Sequence, residues 1–229
     1  MHRTSTVVLG VLSVVFGLAQ AATAGPLPTD PNALPAWQGS VTFDGTTPVA
    51  TNLTVEVEFA VYAPGQFSTS AALGSPVLPA GAADHYVYAY QVFNTLDGDL
   101  AFGSLSVGFQ DLVDFVDDLE NPANASFLSG FGADPSDASL IAPSGVPTSV
   151  VWDFDPLLAP GDSVDGENST VLYYTSLFPP EFDRATVIGS LGTFDIQQLP
   201  SPTPEPGSLV LALAGVAMLS LYRGLRRRN

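Results

Sequence analysis

Leu53-Thr54-Val55-Glu56-Val57-Glu58-Phe59-Ala60-Val61-Tyr62 is the stretch that decides the fold class. Leu53, Val55, Val57, Phe59 and Val61 form one set of positions, and Thr54, Glu56 and Glu58 alternate with them. A period of two is the strand period, because successive side chains point to opposite faces of the pleat. Working outward, residues 85–94 are rich in Tyr and Val and end at the turn Asp97-Gly98-Asp99, and 102–109 continue as the expected partner strand. Further strands are expected over 38–43, 149–154, 170–177 and 186–194. About seven short strands with Pro/Gly-rich connections predict an all-β domain over residues 36–197, an Ig-like or jelly-roll-type β-sandwich.

One segment departs from this pattern. Over 110–120, Leu112, Phe115, Val116 and Leu119 recur at helical spacing while Asp111, Asp114 and Asp118 line the other side. The spacing predicts one short amphipathic helix, stopped by Asn121-Pro122. Residues 123–148, full of Ser, Gly, Asp and Pro, read as a long loop with little regular structure.

The two ends read differently from the middle. Residues 1–24 have the form of a secretory signal peptide: His2 and Arg3, an apolar run from Val7 to Leu18, then Ala22-Thr23-Ala24. Cleavage after Ala24 is favoured, and Ala19-Gln20-Ala21 offers a competing site. Residues 25–35 read as a linker. At the other end, 198–206 form a Pro-rich spacer, 207–222 an uncharged apolar run, and 223–229 an arginine-rich tail. Sixteen helical residues span about 24 Å, short of the roughly 30 Å hydrocarbon core. Tyr222 at the interface and a snorkelling Arg223 extend that reach. Arg223, Arg226, Arg227 and Arg228 are expected to stay cytoplasmic, which places the domain outside.

Charge narrows the partners. The chain carries 23 acidic side chains against six arginines and no lysine, a formal charge of −17. Arg184 is the only strong cation between the two ends. Such a surface repels phosphate backbones and excludes nucleic acid, while attracting divalent cations, basic partners or a cation-bridged polymer matrix. There is no cysteine, so disulfides, thiolate nucleophiles and Cys-rich metal sites are all excluded.

Pro204-Glu205-Pro206, the short apolar run and the terminal arginine cluster occur in an order that resembles the PEP-CTERM sorting domain of Gram-negative bacteria, over about the last 27 residues. The resemblance implies processing by signal peptidase and by a membrane-embedded exosortase near Pro204, Glu205 and Pro206. It also implies at least transient membrane anchoring, then delivery to the cell surface or exopolysaccharide matrix. A permanent single-span anchor is the alternative. Two internal stretches resemble extracellular domains common among such proteins: residues 86–94, and Val151-Trp152-Asp153-Phe154 with Leu158-Ala159-Pro160-Gly161 and Leu172-Tyr173-Tyr174. That likeness implies a Pro-Gly turn joining two strands and an inward-packed Trp152.

Catalytic chemistry has little to stand on. His85 is the one histidine left after signal removal, and no nucleophile elbow, P-loop or zincin motif is present. Glu56 with Glu58, Asp97 with Asp99 and Asp153 with Asp155 are carboxylate pairs of the kind glycoside hydrolysis requires, but in so acidic a chain they read as solvated faces and turn caps. Asp162, Asp165 and Glu167, around Gly166, set oxygen ligands near a turn and make a weak Ca²⁺ candidate beside the reading as a polar turn. The expectation is a non-catalytic structural or adhesive protein without a cofactor. The rivals are a carbohydrate- or Ca²⁺-binding module, with exposed Tyr or Trp stacking on sugar rings, and a secreted glycoside hydrolase.

Overall fold

Alternating strands of this kind bury one face each, so they need a second layer to cover it. The computed structural model describes residues 26–46, 51–78, 82–94, 98–108, 126–142, 148–160 and 168–203. Within them the strands are β1 (Gln38–Thr46), β2 (Asn52–Tyr62), β3 (Tyr86–Asn94), β4 (Phe102–Gly108), β5 (Ser126–Leu128), β6 (Asp137–Ile141), β7 (Ser149–Leu158), β8 (Val171–Ser176), β9 (Pro180–Gly189) and β10 (Phe194–Pro202). They form two five-stranded sheets in the orders β1-β2-β3-β8-β5 and β10-β9-β4-β7-β6, and every strand pairing is antiparallel. The chain is all-β, and the helical elements among the described residues are single 3-10 turns.

The main core lies between the sheets. Leu53, Val55, Val57 and Phe59 of β2 and Tyr88, Tyr90 and Val92 of β3 meet Leu105, Val107, Trp152 and Val187 from the other layer. Trp152 is fully buried, and its indole N–H donates to the Ser126 carbonyl at 3.3 Å. A second, smaller core covers the outer side of the first sheet. Tyr62, Val87, Ala89 and Tyr173 point away from the main core and pack under Leu27, Ala33, Phe67 and Leu73. Strands buried on both sides lose their polar positions, which is why β3 and β8 read as nearly continuous apolar runs. The outer side of β2 changes along its length: Thr54 and Glu56 are half-buried, Glu58 is buried, and Ala60 and Tyr62 belong to the second core.

Several expectations need correction. β4 does not pair with β3: the chain passes between the sheets, and β4 lies between β7 and β9. Asn94 holds the crossing, its amide donating to the carbonyls of Leu100 at 3.0 Å and Leu158 at 2.9 Å. The expected loop over 123–148 contains β5 and β6, short edge strands whose pairing with β8 and β7 supplies what their own sequences lack. The single strand expected over 186–194 straddles a hairpin. The chain reverses at Ser190–Gly192, with Leu191 at φ 60° and Gly192 at φ 71°, the paired left-handed conformation of tight hairpin turns. From Pro26 on, the expected 25–35 linker is packed structure, because Leu27 and Ala33 fill the second core. The expected 198–206 spacer is strand β10 as far as Pro202. Its prolines are tolerated because β10 is an edge strand, with a neighbour on one side only. Pro156 is accommodated in β7 where the ladder with β4 shifts register, between Asp153 and Leu158.

The predicted signal peptide, the helix over 110–120 and the apolar segment 207–222 lie outside the described residues. Among the described residues no helix is long and apolar enough to cross a membrane.

Candidate functional site

β10 is the strand that precedes Pro204-Glu205-Pro206 in the chain. β10 pairs with β9 from Phe194↔Ile188 to Pro202↔Pro180. On its inner side Leu199 and Ser201 are fully buried. Its outer edge meets β1 rather than solvent: the Asp44 amide donates to the Asp195 carboxylate at 2.9 Å, and Gln197 donates to the same oxygen at 2.9 Å. A side-chain carboxylate thus covers a backbone donor that an open sheet edge leaves unpaired.

Three buried tyrosines of the first sheet cluster here, and one of them, Tyr90, ties β10 to that sheet. The Tyr90 hydroxyl donates to the Pro200 carbonyl, and Tyr174 lies 3.2 Å from it, oxygen to oxygen. Because Tyr90 gives its one proton to Pro200, Tyr174 is the donor of the second bond. Tyr88 donates to the Phe178 carbonyl at 2.8 Å and stacks on Tyr174 with ring centres 5.0 Å apart and planes 7° from parallel. Trp152 closes the group at 5.9 Å from Tyr90 and 6.2 Å from Tyr174. Burial pushes the phenols of Tyr88, Tyr90 and Tyr174 well above their ordinary range, since a phenolate there has no water. Alternation of Tyr86, Tyr88 and Tyr90 signals one shared side of β3, but the partners 84 and 110 residues away leave no local trace.

A second polar knot holds the covering layer. Asp30 is buried and accepts from the Tyr62 hydroxyl at 2.9 Å, from the Ser70 hydroxyl, and from the Asn32 amide at 2.9 Å. Ser70 in turn accepts from the Leu73 amide at 3.1 Å. Burial first, and then the negative charge of Asp30, drive the Tyr62 phenol upward. The segments that meet at Asp30 include residues read from sequence as linker (Asp30, Asn32) and as strand (Tyr62).

The residues singled out for chemistry are scattered. Glu56 and Glu58 are two apart on the outer side of β2, facing Thr42 and Ser40 of β1 in register. Asp99 accepts from the Asn52 amide at 3.4 Å, and Asp97 lies outside the described residues. Asp153 and Asp155 are exposed on β7, and Asp137 of β6 stands opposite Asp153. His85 is half-buried after the 3-10 turn Ala82–Asp84. Asp162, Asp165 and Glu167, like Pro204, Glu205, Pro206 and Arg223, Arg226, Arg227 and Arg228, lie outside the described residues. Among the described residues no three His, Asp or Glu converge on a point that could hold a metal ion. The tyrosines expected as sugar platforms are instead core: Tyr62, Tyr88, Tyr90, Tyr173 and Tyr174 are all buried. Among the described residues the exposed aromatics are Phe194, 60% exposed, and Phe182, 40% exposed, the latter with its ring centre 5.0 Å from that of half-buried Trp37.

Comparison with protein-family models, with curated proteins and with solved structures finds no match for this chain.

Proposed function

We propose that the chain is an exported, non-catalytic structural or adhesive domain, sorted by a PEP-CTERM signal to the cell surface or the extracellular polysaccharide matrix. The observation that carries this is the C-terminal sequence: Pro204-Glu205-Pro206, an uncharged apolar run and an arginine cluster follow one another from the second residue after β10. In this reading signal peptidase removes residues 1–24, the apolar segment 207–222 spans the membrane, and an exosortase acts at the Pro-Glu-Pro. The finer description as an Ig-like or jelly-roll-type sandwich belongs to the same proposal. It is supported by the chain crossing between sheets at β3–β4, β4–β5, β5–β6, β7–β8 and β8–β9. The acidic surface suits a matrix held together by divalent cations.

Intact-mass analysis of material from the cell surface and the medium tests the reading. It predicts a chain beginning after Ala24 or Ala21 and ending near Pro204, and the untrimmed polypeptide dissolved in the cytosol would overturn it. Deletion of the protein is expected to alter surface retention or cell aggregation. A second reading, a carbohydrate-binding module, is supported by Trp37 and Phe182, neighbouring aromatic rings of which Phe182 is exposed. Glycan-array binding abolished by Trp37→Ala supports that reading, and its loss with EDTA brings in Ca²⁺.

A further inference from the structure

The outward side of the second sheet divides by charge. In a chain with 23 acidic residues, the outward positions of β9 and β10 are Arg184, Thr186, Ile188, Phe194, Ile196 and Gln198, with no carboxylate among them. β4 adds Ser104 and Ser106 beside them. Acids resume at Glu181, exposed at the far end of β9, and on β7 and β6 at Asp153, Asp155 and Asp137. The acid-free half is also the apolar one: Phe194 is 60% exposed, Ile196 48% and Ile188 42%. Leu191 completes it at the hairpin tip, 77% exposed.

Leu191 is anomalous twice over. Its φ of 60° is a conformation that crowds the Cβ of any L-residue other than glycine, and Asn, Asp or Gly is the usual choice. An unpartnered leucine there also leaves its side chain in water. A polar turn residue would serve the hairpin better, so the leucine points to something that takes up its side chain.

We propose that this half-face, with Leu191, Phe194, Ile196 and Ile188 as its apolar contacts, lies on the outer surface of the bilayer to which the chain is tethered. The inference rests on the anchor reading above. Between Pro202, the last paired residue of β10, and Gly207, the first of the apolar segment, stand four residues, which reach at most about 14 Å. The domain therefore stays beside the membrane at high effective concentration, and a weak apolar contact suffices to choose which side faces it. Charge makes the same choice. Arg184 is the only arginine or lysine among the described residues and sits on this half-face, while the other half of the same sheet, with Asp137, Asp153 and Asp155, would press carboxylates toward lipid phosphates. A second copy is a poorer occupant, because it brings two strongly acidic bodies together.

The absence of cysteine makes the test direct. Single-cysteine variants of the full chain, Leu191→Cys, Phe194→Cys and Val77→Cys, carry an environment-sensitive fluorophore after reconstitution in vesicles of zwitterionic lipid. Val77, 87% exposed on the layer that covers the other sheet, is the water-facing control. Ala214→Cys, inside the apolar segment, reports the anchor itself. The expected result is blue-shifted emission and several-fold stronger quenching by a lipid-borne quencher at positions 191 and 194 than at 77, abolished at 194 by Leu191→Asp while position 214 stays quenched. Water-accessible labels at 191 and 194 with a lipid-quenched label at 214 overturn this proposal and leave the anchor standing. A water-accessible label at 214 removes the anchor and this proposal with it. Shielding at 191 from lipid-borne and aqueous quenchers alike, growing with protein density, assigns the face to a second copy and overturns the proposal.

Discussion

Raising the pH should unfold this domain through its tyrosines, and the effect can be worked out. The chain has no lysine, so above about pH 9 the side chains that titrate before arginine are tyrosines. Tyr62, Tyr88, Tyr90 and Tyr174 are fully buried, and their phenols are held well above the ordinary value of 10.0. A group whose folded-state pKa is raised contributes its stability in full below the unfolded value and loses it as the pH climbs. Here the unfolded chain gains phenolates from about pH 10 while the native state cannot. Each tyrosine then favours unfolding by about 1.4 kcal/mol at pH 11 and by about 2.7 kcal/mol at pH 12. Four together amount to about 6 and then about 11 kcal/mol, against a typical domain stability of roughly 5–15 kcal/mol. The domain should therefore unfold between about pH 11 and 12.5, in a single step. Phenolate absorbance and far-ultraviolet circular dichroism, followed together on the detergent-solubilised chain, check this. Tyr62, Tyr88, Tyr90 and Tyr174 should ionise only as the strand signal collapses. Gradual ionisation of all seven tyrosines near pH 10, with the strand signal intact, would refute the reasoning.

Three substitutions probe the supports separately. Tyr90→Phe removes the donor to Pro200 and the acceptor for Tyr174, and should lower stability by about 1–3 kcal/mol in a denaturant titration. Asp30→Ala strips Tyr62 and Ser70 of their shared acceptor. It should raise amide exchange and protease cutting across residues 63–78 more than across β3, at a cost of about 1–3 kcal/mol. Gly132→Ala would put a Cβ 2.4 Å from the Asn168 carbonyl oxygen and 2.5 Å from that of Ser169, so the 129–136 connection must move away from the start of β8. A loss of about 1–3 kcal/mol is expected, with β5 the first strand to lose amide protection.

How much of this was legible depends on whether the signal is local. The alternation in β2 is carried by five consecutive odd positions, and the same positions form its core side in the structure. Sheet membership was not legible for β4, because Phe102, Leu105 and Val107 present the same pattern whether the chain turns back in one sheet or crosses to the other. β5 and β6 escaped because edge strands are only partly buried and borrow their order from β8 and β7. The β9–β10 hairpin was masked by its own exposed hydrophobics: Ile188, Leu191 and Phe194 read as one strand across a turn that Gly192 alone marked. The proposed sorting signal, conversely, lies outside the described residues and rests on sequence alone. The tyrosine knot joins residues up to 110 apart, so no window along the chain contains it.

Because β10 is the last strand among the described residues, the sandwich is completed only once residue 202 has emerged. Leu199 fills the interior and Pro200 supplies the acceptor for Tyr90, yet both precede the apolar segment by fewer than ten residues. A chain emerging from its N-terminus must hold β1 to β9 with the Tyr90 hydroxyl unmatched until residue 202 is clear. Long-range strand pairing of this kind is slow and leaves edges open to wrong neighbours. The final latch therefore closes only when residues 194–202 have emerged, which leaves completion of the interior to the last strand of the sandwich.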